Sequence, residues 1–454
     1  MTLWDAIKEN MLLHQNQTVC ENKAEMSFED VVIWAELFAS KLRGFHCCAI
    51  LCQSEMAAAM SLLACFAAQV TAVPLSMRYG QLHCNKLLDA ISPDAIIMDD
   101  GGEIKVLKVT DSQYIDPKES PALIMCTSGT TGKPKGAMLS EKNILTNVVD
   151  IISYFAIDEM DTILISRPLY HCAVLTGEFL VALLKGTKIR FYSEQFHPPK
   201  MLELIDKYGV TVFCGTPTLL SMMARFKRES NKNHLRHICI SGECMGREVA
   251  LRIRDAFPQS RIYHVYGLTE ACPRVSYLAP ELFDDYPDCV GVPLESVSIK
   301  ILDANGKSCD SGEEGILWVK GDNVMIGYYR EAEKTARVLQ GGWLCTGDIA
   351  VRNEIGLLKI KGRNDDLIIK SGMNIYPAEV EESIKRDTRV KEVLVYGFEN
   401  QFGKQIGMKI CGDFSSVDEV RQLCMAVLPP YEIPSRIEIL PMLQKNNSGK
   451  VIRR

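Results

Sequence analysis

Leu123-Ile-Met-Cys-Thr-Ser-Gly-Thr-Thr-Gly-Lys-Pro-Lys-Gly136 is the stretch on which the reading of this 454-residue chain turns. Residues 123–126 form an apolar strand candidate. It runs into a loop made of hydroxyl residues (Thr127, Ser128, Thr130, Thr131), glycines (Gly129, Gly132, Gly136) and lysines (Lys133, Lys135). Small residues let backbone N–H groups approach an anion closely, the hydroxyls add donors and the lysines add charge. In physical terms this is a phosphate-cradling loop. A Walker A loop would need Gly at the position of Thr127 and Ser or Thr at that of Pro134, so it is not one.

Outward from the loop, strand and helix patterns alternate. The spacing of apolar residues predicts helices over 28–42, 56–68, 177–184 and 201–208. Short apolar runs predict strands over 47–52, 95–98, 161–166, 188–192, 210–214, 237–241 and 262–265. This alternation predicts an α/β fold whose layers surround largely parallel sheets. After about residue 287, turns such as Asp303-Ala-Asn-Gly306 and Asp310-Ser-Gly312 punctuate short strands, which predicts a small β-rich subdomain over about 287–360. A second change falls at Gly362-Arg-Asn-Asp-Asp366. The expected division is an N-terminal unit over 1–364 and a small mobile α+β unit over 365–454.

Composition narrows the function classes. Hydrophobic residues make up 47% and charged residues 24%, the balance of a globular protein. Lys and Arg number 51 against 57 Asp and Glu, a net charge of −6, so no general basic field exists for nucleic acid. Seventeen scattered cysteines without a CxxC pair read as reduced thiols. The N-terminal residues show no basic region followed by an apolar stretch, so the expectation is a cytoplasmic protein without a leader. Residues 56–75 carry no charge but are rich in alanine and broken by Gln69, Thr71 and Pro74; a buried helix and a strand are expected rather than a membrane span. Structural zinc is disfavoured, because His83-Cys84 and His234-x-x-His237-x-Cys239 do not complete a tetrahedral set. No GxSxG elbow supports a serine hydrolase.

Four further motifs accompany the loop. They are Tyr266-Gly-Leu-Thr-Glu270, Gly342-Trp-Leu-Cys-Thr-Gly-Asp348, Lys361-Gly-Arg-Asn-Asp-Asp366 followed by Ile369-Lys-Ser-Gly372, and Asn447-Ser-Gly-Lys450. In this order the set resembles the adenylate-forming superfamily, which comprises acyl- and aryl-CoA synthetases, adenylation domains of peptide synthetases and firefly-type luciferases. Glu270 follows a strand on a loop where ligands of open α/β sheets collect, and a carboxylate beside phosphates suits a Mg²⁺ ligand. The resemblance implies the remaining roles. Residues 127–133 and Lys135 would bind the phosphates of ATP, with Thr269 on a phosphoryl oxygen. Tyr266, Gly267, Gly242, Glu243 and Cys244 would line the adenosine, the last two standing where Ala-Pro is commoner. Asp348 and Arg363 would hold the ribose, and Lys450 would be a mobile catalytic lysine bridging the substrate carboxylate and the α-phosphate. Asp365 would be the hinge. Lys370, Ser371 and Gly372 would line a pantetheine tunnel.

His171 matches a position near the substrate carboxylate, and Cys172, Leu175, Cys214, Gly215, Leu268 and Ala271 would form an acyl pocket. Relatives that activate amino acids carry an acidic residue here to pair with the ammonium; this chain has none until Glu178. A plain carboxylic acid is therefore expected, since a buried ammonium without a partner is costly. The expected reaction is ATP-dependent formation of acyl-AMP with pyrophosphate release. Transfer to a pantetheine thiol of CoA or a carrier protein would follow. The alternatives are an amino-acid-type adenylation enzyme and a luciferase-like oxygenase.

Overall fold

The computed structural model describes residues 1–76, 81–127, 135–228, 234–370, 373–400, 403–445 and 451, without the side chains of 81–83, 127, 369 and 403. The uncharged run at 56–75 becomes the helix Glu55–Ala68, capped at its start by the Ser54 hydroxyl and stopped by Gln69 at φ 55°, and then the buried strand Thr71–Pro74. Among the described residues no helix is long and apolar enough to cross a membrane.

That strand lies in a seven-stranded sheet. From edge to edge the sheet runs Gly327–Tyr328, Lys135–Leu139, Leu123–Thr127, Thr71–Pro74, Cys47–Ile50, Ala95–Asp100 and Glu103–Lys108. The inner pairings are parallel and the outer ones antiparallel. A nine-stranded sheet has the same plan. Its parallel centre is Arg261–Gly267, His237–Ile240, Val212–Gly215, Thr162–Ile165, Lys188–Phe191 and Thr18–Glu21. Arg274–Leu278 and Val292–Pro293 extend one edge and Ala24–Ser27 the other, all antiparallel. The expected α/β layering is thus what forms, with antiparallel strands confined to the edges.

One apolar core joins these sheets through buried helices, Glu141–Tyr154 among them. The apolar pattern of that helix escaped the sequence reading, although Ser140 and Asn143 form a capping box that fixes its start. The helix expected over 177–184 departs from regular form. A short α-turn Cys172–Val174 passes into a π-helical turn Leu175–Phe179 before the α-helix Leu180–Leu184. A smaller five-stranded β-sheet follows, built from Val297–Leu302, Glu314–Gly321, Leu339–Gln340, Trp343–Arg352 and Leu358–Arg363. Beyond it, residues between Ile368 and Ile437 gather around a core of their own.

Candidate active site

The strands Leu123–Thr127 and Lys135–Leu139 are antiparallel neighbours with Thr127 opposite Lys135, so they flank residues 128–134. Ser128, Gly129, Thr130, Thr131, Gly132 and Lys133 lie outside the described residues, as does the Thr127 side chain. Ser371, Gly372 and Lys450 lie outside them too. Lys135 Nζ stands 5.1 Å from the ring centroid of Tyr328. Tyr328 is brought there by the two-residue strand Gly327–Tyr328, which pairs with Lys135–Leu139 at Ala137. The Tyr328 hydroxyl then donates to Glu270 Oε1 at 2.7 Å. Burial, followed by the Glu270 charge, holds this phenol protonated and so keeps it a donor.

Glu270 sits on the 3₁₀ turn Thr269–Ala271 at the carboxyl end of Arg261–Gly267, and its own carbonyl accepts the Met325 N–H at 2.9 Å. The chain turns sharply here. A Cβ at Gly267 would fall 1.8 Å from the Pro273 carbonyl oxygen, so only glycine fits. Leu268 closes the turn by donating its N–H to that same carbonyl at 2.8 Å. Ala271 is buried beside it.

Two antiparallel strands place Asp348 directly opposite Arg363. Arg363 Nε lies 3.1 Å from Asp348 Oδ1, and its Nη1 donates to the Thr346 carbonyl at 2.6 Å. The Tyr266 hydroxyl donates to Asp348 Oδ2, and the Thr346 hydroxyl accepts the Asp348 N–H at 3.0 Å. Burial opposes the Arg363 charge, but Asp348, Tyr266 and Glu270 outweigh it and raise its pKa. Burial, then the Asp348 charge, drives the Tyr266 phenol far upward, so it too remains a donor. Lys135, Tyr328 and Glu270 form one group and Tyr266, Asp348 and Arg363 another, and the attraction between Glu270 and Arg363 connects the two.

The residues expected to form an acyl pocket lie on several elements. His171 precedes the turn Cys172–Val174, and its ring packs on Tyr170 at 4.2 Å. Cys172 and Leu175 are buried, and the Cys172 thiol is pushed up to about 12 by burial, with the Glu270 charge contributing. Cys214 pairs in register with Cys239 on the neighbouring parallel strand, and Gly215 follows it. Gly242 adopts φ 95° after His237–Ile240. The Glu243 carboxylate turns toward the helix Pro217–Phe226, where it accepts the Thr218 hydroxyl at 2.7 Å, while Cys244 is exposed. Asp365 lies on the exposed 3₁₀ turn Asn364–Asp366. Lys370 Nζ donates to the Tyr431 carbonyl at 3.1 Å in an exposed contact within the C-terminal residues.

The motif reading missed several groups that the fold brings in. Tyr328 was signalled only by an aromatic pair next to Gly327. The Arg167–Glu178 ion pair, 7% and 1% exposed, joins residues on two different segments. Arg274 is 2% exposed on a strand of otherwise apolar and small residues, and that oddity was its one sequence signal.

Comparisons with known proteins identify the family and the fold. A family described as AMP-binding enzyme matches residues 9–329. A long-chain-fatty-acid–CoA ligase of Haemophilus influenzae is 33% identical over 75% of this chain, which spans only 63% of that ligase. A feruloyl-CoA synthase of an Amycolatopsis species is 32% identical over 73% of this chain and 68% of the synthase. Among solved structures, the o-succinylbenzoate CoA synthetase MenE of Bacillus subtilis, in complex with its acyl-adenylate intermediate, superposes with a TM-score of 0.86 at 26% identity. That match covers 100% of this chain and 97% of the synthetase. The superfamily resemblance carried by the five motifs is thereby borne out, and the chain belongs to the AMP-binding enzyme family.

Proposed function

We propose that this chain activates a carboxylic acid with ATP, releasing pyrophosphate to give acyl-AMP, and then passes the acyl group to the thiol of CoA or of a carrier-protein pantetheine. The observation that carries the reading is the connected surface at the strand ends. A buried carboxylate, Asp348, is gripped by Tyr266 and Arg363 at one end, and a second carboxylate, Glu270, is aimed by Tyr328 beside Lys135 at the other. Asp348 and Arg363 suit the vicinal hydroxyls of a ribose. Lys135 and the hydroxyl- and glycine-rich residues 127–133 suit the phosphates.

Magnesium fits the donor set. Glu270 has one oxygen engaged by Tyr328, and its carboxylate is a hard ligand. No group of three or more His, Cys, Asp or Glu residues that could hold a metal exists among the described residues. The ion would therefore take its remaining ligands from phosphate oxygens and water, as Mg²⁺ commonly does. Bound there, it would neutralise the charge on the phosphates. The chain's own groups then orient the reactants. His171 and the buried Cys172 border the acid, and Lys450 is proposed to lie between carboxylate and α-phosphate, where a cation favours their approach. No covalent protein nucleophile is needed.

For the second half we propose that residues 365–454 turn about Asp365 relative to 1–364. This withdraws Lys450 and brings Lys370, Ser371 and Gly372 to the pantetheine path. A plain acid remains the favoured substrate over an α-amino acid, because Glu178, the first acidic residue after His171, is taken up by Arg167 in a buried pair. The reducing cytoplasm suits a chain with seventeen cysteines and no disulfide among the described residues.

A pyrophosphate-release screen over fatty, aryl, dicarboxylic and amino acids tests the reading, first with CoA and then with a purified carrier protein. Acyl-AMP from at least one acid is expected; its absence across the panel refutes the proposal. In the same assay Lys450→Ala should abolish acid-dependent pyrophosphate exchange yet leave thioester formation from supplied acyl-AMP. Exchange at the unaltered rate would remove Lys450 from the mechanism.

A further inference from the structure

The residues from Ile368 onward share no apolar core with those before them. Buried side chains between Ile368 and Ile437 gather in a cluster of their own, and among the described residues the clusters around the large sheets draw nothing from it. What joins the two parts is polar, as at interfaces that open and close. Lys361 is one of the joining groups. It lies on the strand Leu358–Arg363, where Ile360 pairs with Ala350 and Gly362 with Ile349, so Lys361 is the extra residue of a β-bulge. Bulges re-aim side chains, and this one turns Lys361 to the helix Pro377–Ile384. Its Nζ pairs with Glu379 in the first turn of that helix and lies 3.5 Å from Glu314 Oε1 on the strand Glu314–Gly321.

Glu314 is engaged from both parts. Its Oε2 accepts the hydroxyl of Tyr376, the N-cap residue of the same helix. Burial, then Glu314, raises the pKa of this phenol, which therefore stays a donor. The Lys361 side chain is 16% exposed and the Glu314 and Glu379 side chains 37% and 40%, so each contact is weak alone and screened by salt. Two further bonds cross the same boundary. Arg225 Nη2 donates to the Val390 carbonyl at 3.3 Å, and the Arg247 N–H donates to Glu382 Oε1 at 3.0 Å. Together these contacts hold one pose without welding the parts, and Lys361 stands four residues before Asp365.

We propose that Lys361 and Glu314 are positioning residues. Through Glu379 and Tyr376 they fasten residues 365–454 in the pose seen here, and the ease of unfastening sets the balance between the two half-reactions. This rests on the activation reading above and on its turn about Asp365. The synthetase in complex with its acyl-adenylate intermediate superposes with a TM-score of 0.86, and a double mutant of it bound to a product analogue with 0.71, each over 100% of this chain. The fastened pose is therefore assigned to adenylation, and releasing it favours the thioester half.

In Lys361→Glu a third carboxylate faces Glu314 and Glu379, and adding Glu379→Lys restores opposite charges. With the best acid of the screen above, pyrophosphate exchange should fall about tenfold in Lys361→Glu, while thioester formation from supplied acyl-AMP holds or rises. The double variant should recover exchange to within about threefold of the unaltered enzyme. Equal loss in both half-reactions, or no recovery, overturns the positioning role. Hydrogen–deuterium exchange over residues 246–250 reads the fastening without any acid, because Glu382 protects the Arg247 N–H only while the parts are joined. It should quicken about fivefold in Lys361→Glu, and likewise in the unaltered enzyme at about 0.5 M NaCl. An unchanged rate overturns the fastening itself. If no acid makes the unaltered enzyme release pyrophosphate, the activation reading fails, and hydrogen exchange decides the fastening separately. Should Lys361→Glu not fold, Lys361→Met carries the same test with effects of about fivefold.

Discussion

Arg363 and Arg274 are guanidinium groups in opposite surroundings, the first with a half-exposed side chain and the second enclosed in the core. Arg363 faces a carboxylate in register on the adjacent strand, and its Nη1 ends on a backbone carbonyl. Arg274 meets a phenol and a thiol. The first arrangement is complete without a ligand and presents a rigid surface of fixed polarity. The second lies out of contact with solvent against a thiol, Cys239, that the neighbouring Cys214 and the guanidinium together draw down to about 7.

Breaking the neighbouring closed pair tests this contrast most severely. Arg167→Met strands the Glu178 carboxylate in the core and should cost about 3–5 kcal/mol of stability, read from urea unfolding. A change below about 1 kcal/mol would mean that another group compensates Glu178 when Arg167 is gone.

His264 illustrates a third solution, which is to shed the charge. It is 2% exposed, its Nδ1 lies 3.2 Å from the Pro287 carbonyl, and burial lowers its pKa to about 4 from 6.5. The unfolded chain therefore binds the proton first. Stability contributed by neutral His264 is complete above about pH 6.5 and is lost as pH falls toward 4, by roughly 3 kcal/mol in all. Unfolding free energies at pH 7 and pH 5 should differ in that direction, and His264→Gln should flatten the difference.

If Asp348 holds a ribose as proposed, Asp348→Ala should lower kcat/KM for ATP by about a hundredfold, the worth of two hydrogen bonds to a charged group. An effect under threefold would show that the ready-made surface does not bind the nucleotide. The smallest effect is expected where the C-terminal core meets the rest. The Glu382 carboxylate accepts the Arg247 N–H at 3.0 Å, at the start of the helix Arg247–Ala256, whose N-cap Gly246 supplies no side chain. Glu382→Ala should remove a cap worth about 1 kcal/mol. The balance between adenylation and thioester formation should shift a few-fold, measured as the ratio of the two half-reactions. An unchanged ratio would separate this contact from the proposed domain turn.

Residues whose chemistry is confined to a short run are legible in the amino-acid sequence alone. Glu270, Asp348 and Arg363 stand out because loop glycines and hydroxyls surround them in motifs. Tyr328 and Arg167 do not, because their meaning arises from pairing with residues far away or on another segment: Tyr328 with Glu270, and Arg167 with Glu178. In the sequence Glu178 reads only as an acid too late in the chain to serve a substrate, and the fold supplies the reason by giving it Arg167. The turn Leu175–Phe179 shows a different limit. Its apolar spacing suits an ordinary helix, and nothing in that spacing marks the wider winding the structure shows.

The two-residue strand Gly327–Tyr328 also bears on how the protein comes into being. It closes the edge of a sheet whose other strands lie before residue 140, and it delivers the hydroxyl that aims Glu270. A chain leaving the ribosome has made both large sheets' parallel centres long before this strand emerges, and Arg363 emerges later still. Nascent protein therefore passes through a stage with an open sheet margin and an unfinished nucleotide cleft, during which association with other unfinished chains competes with completion.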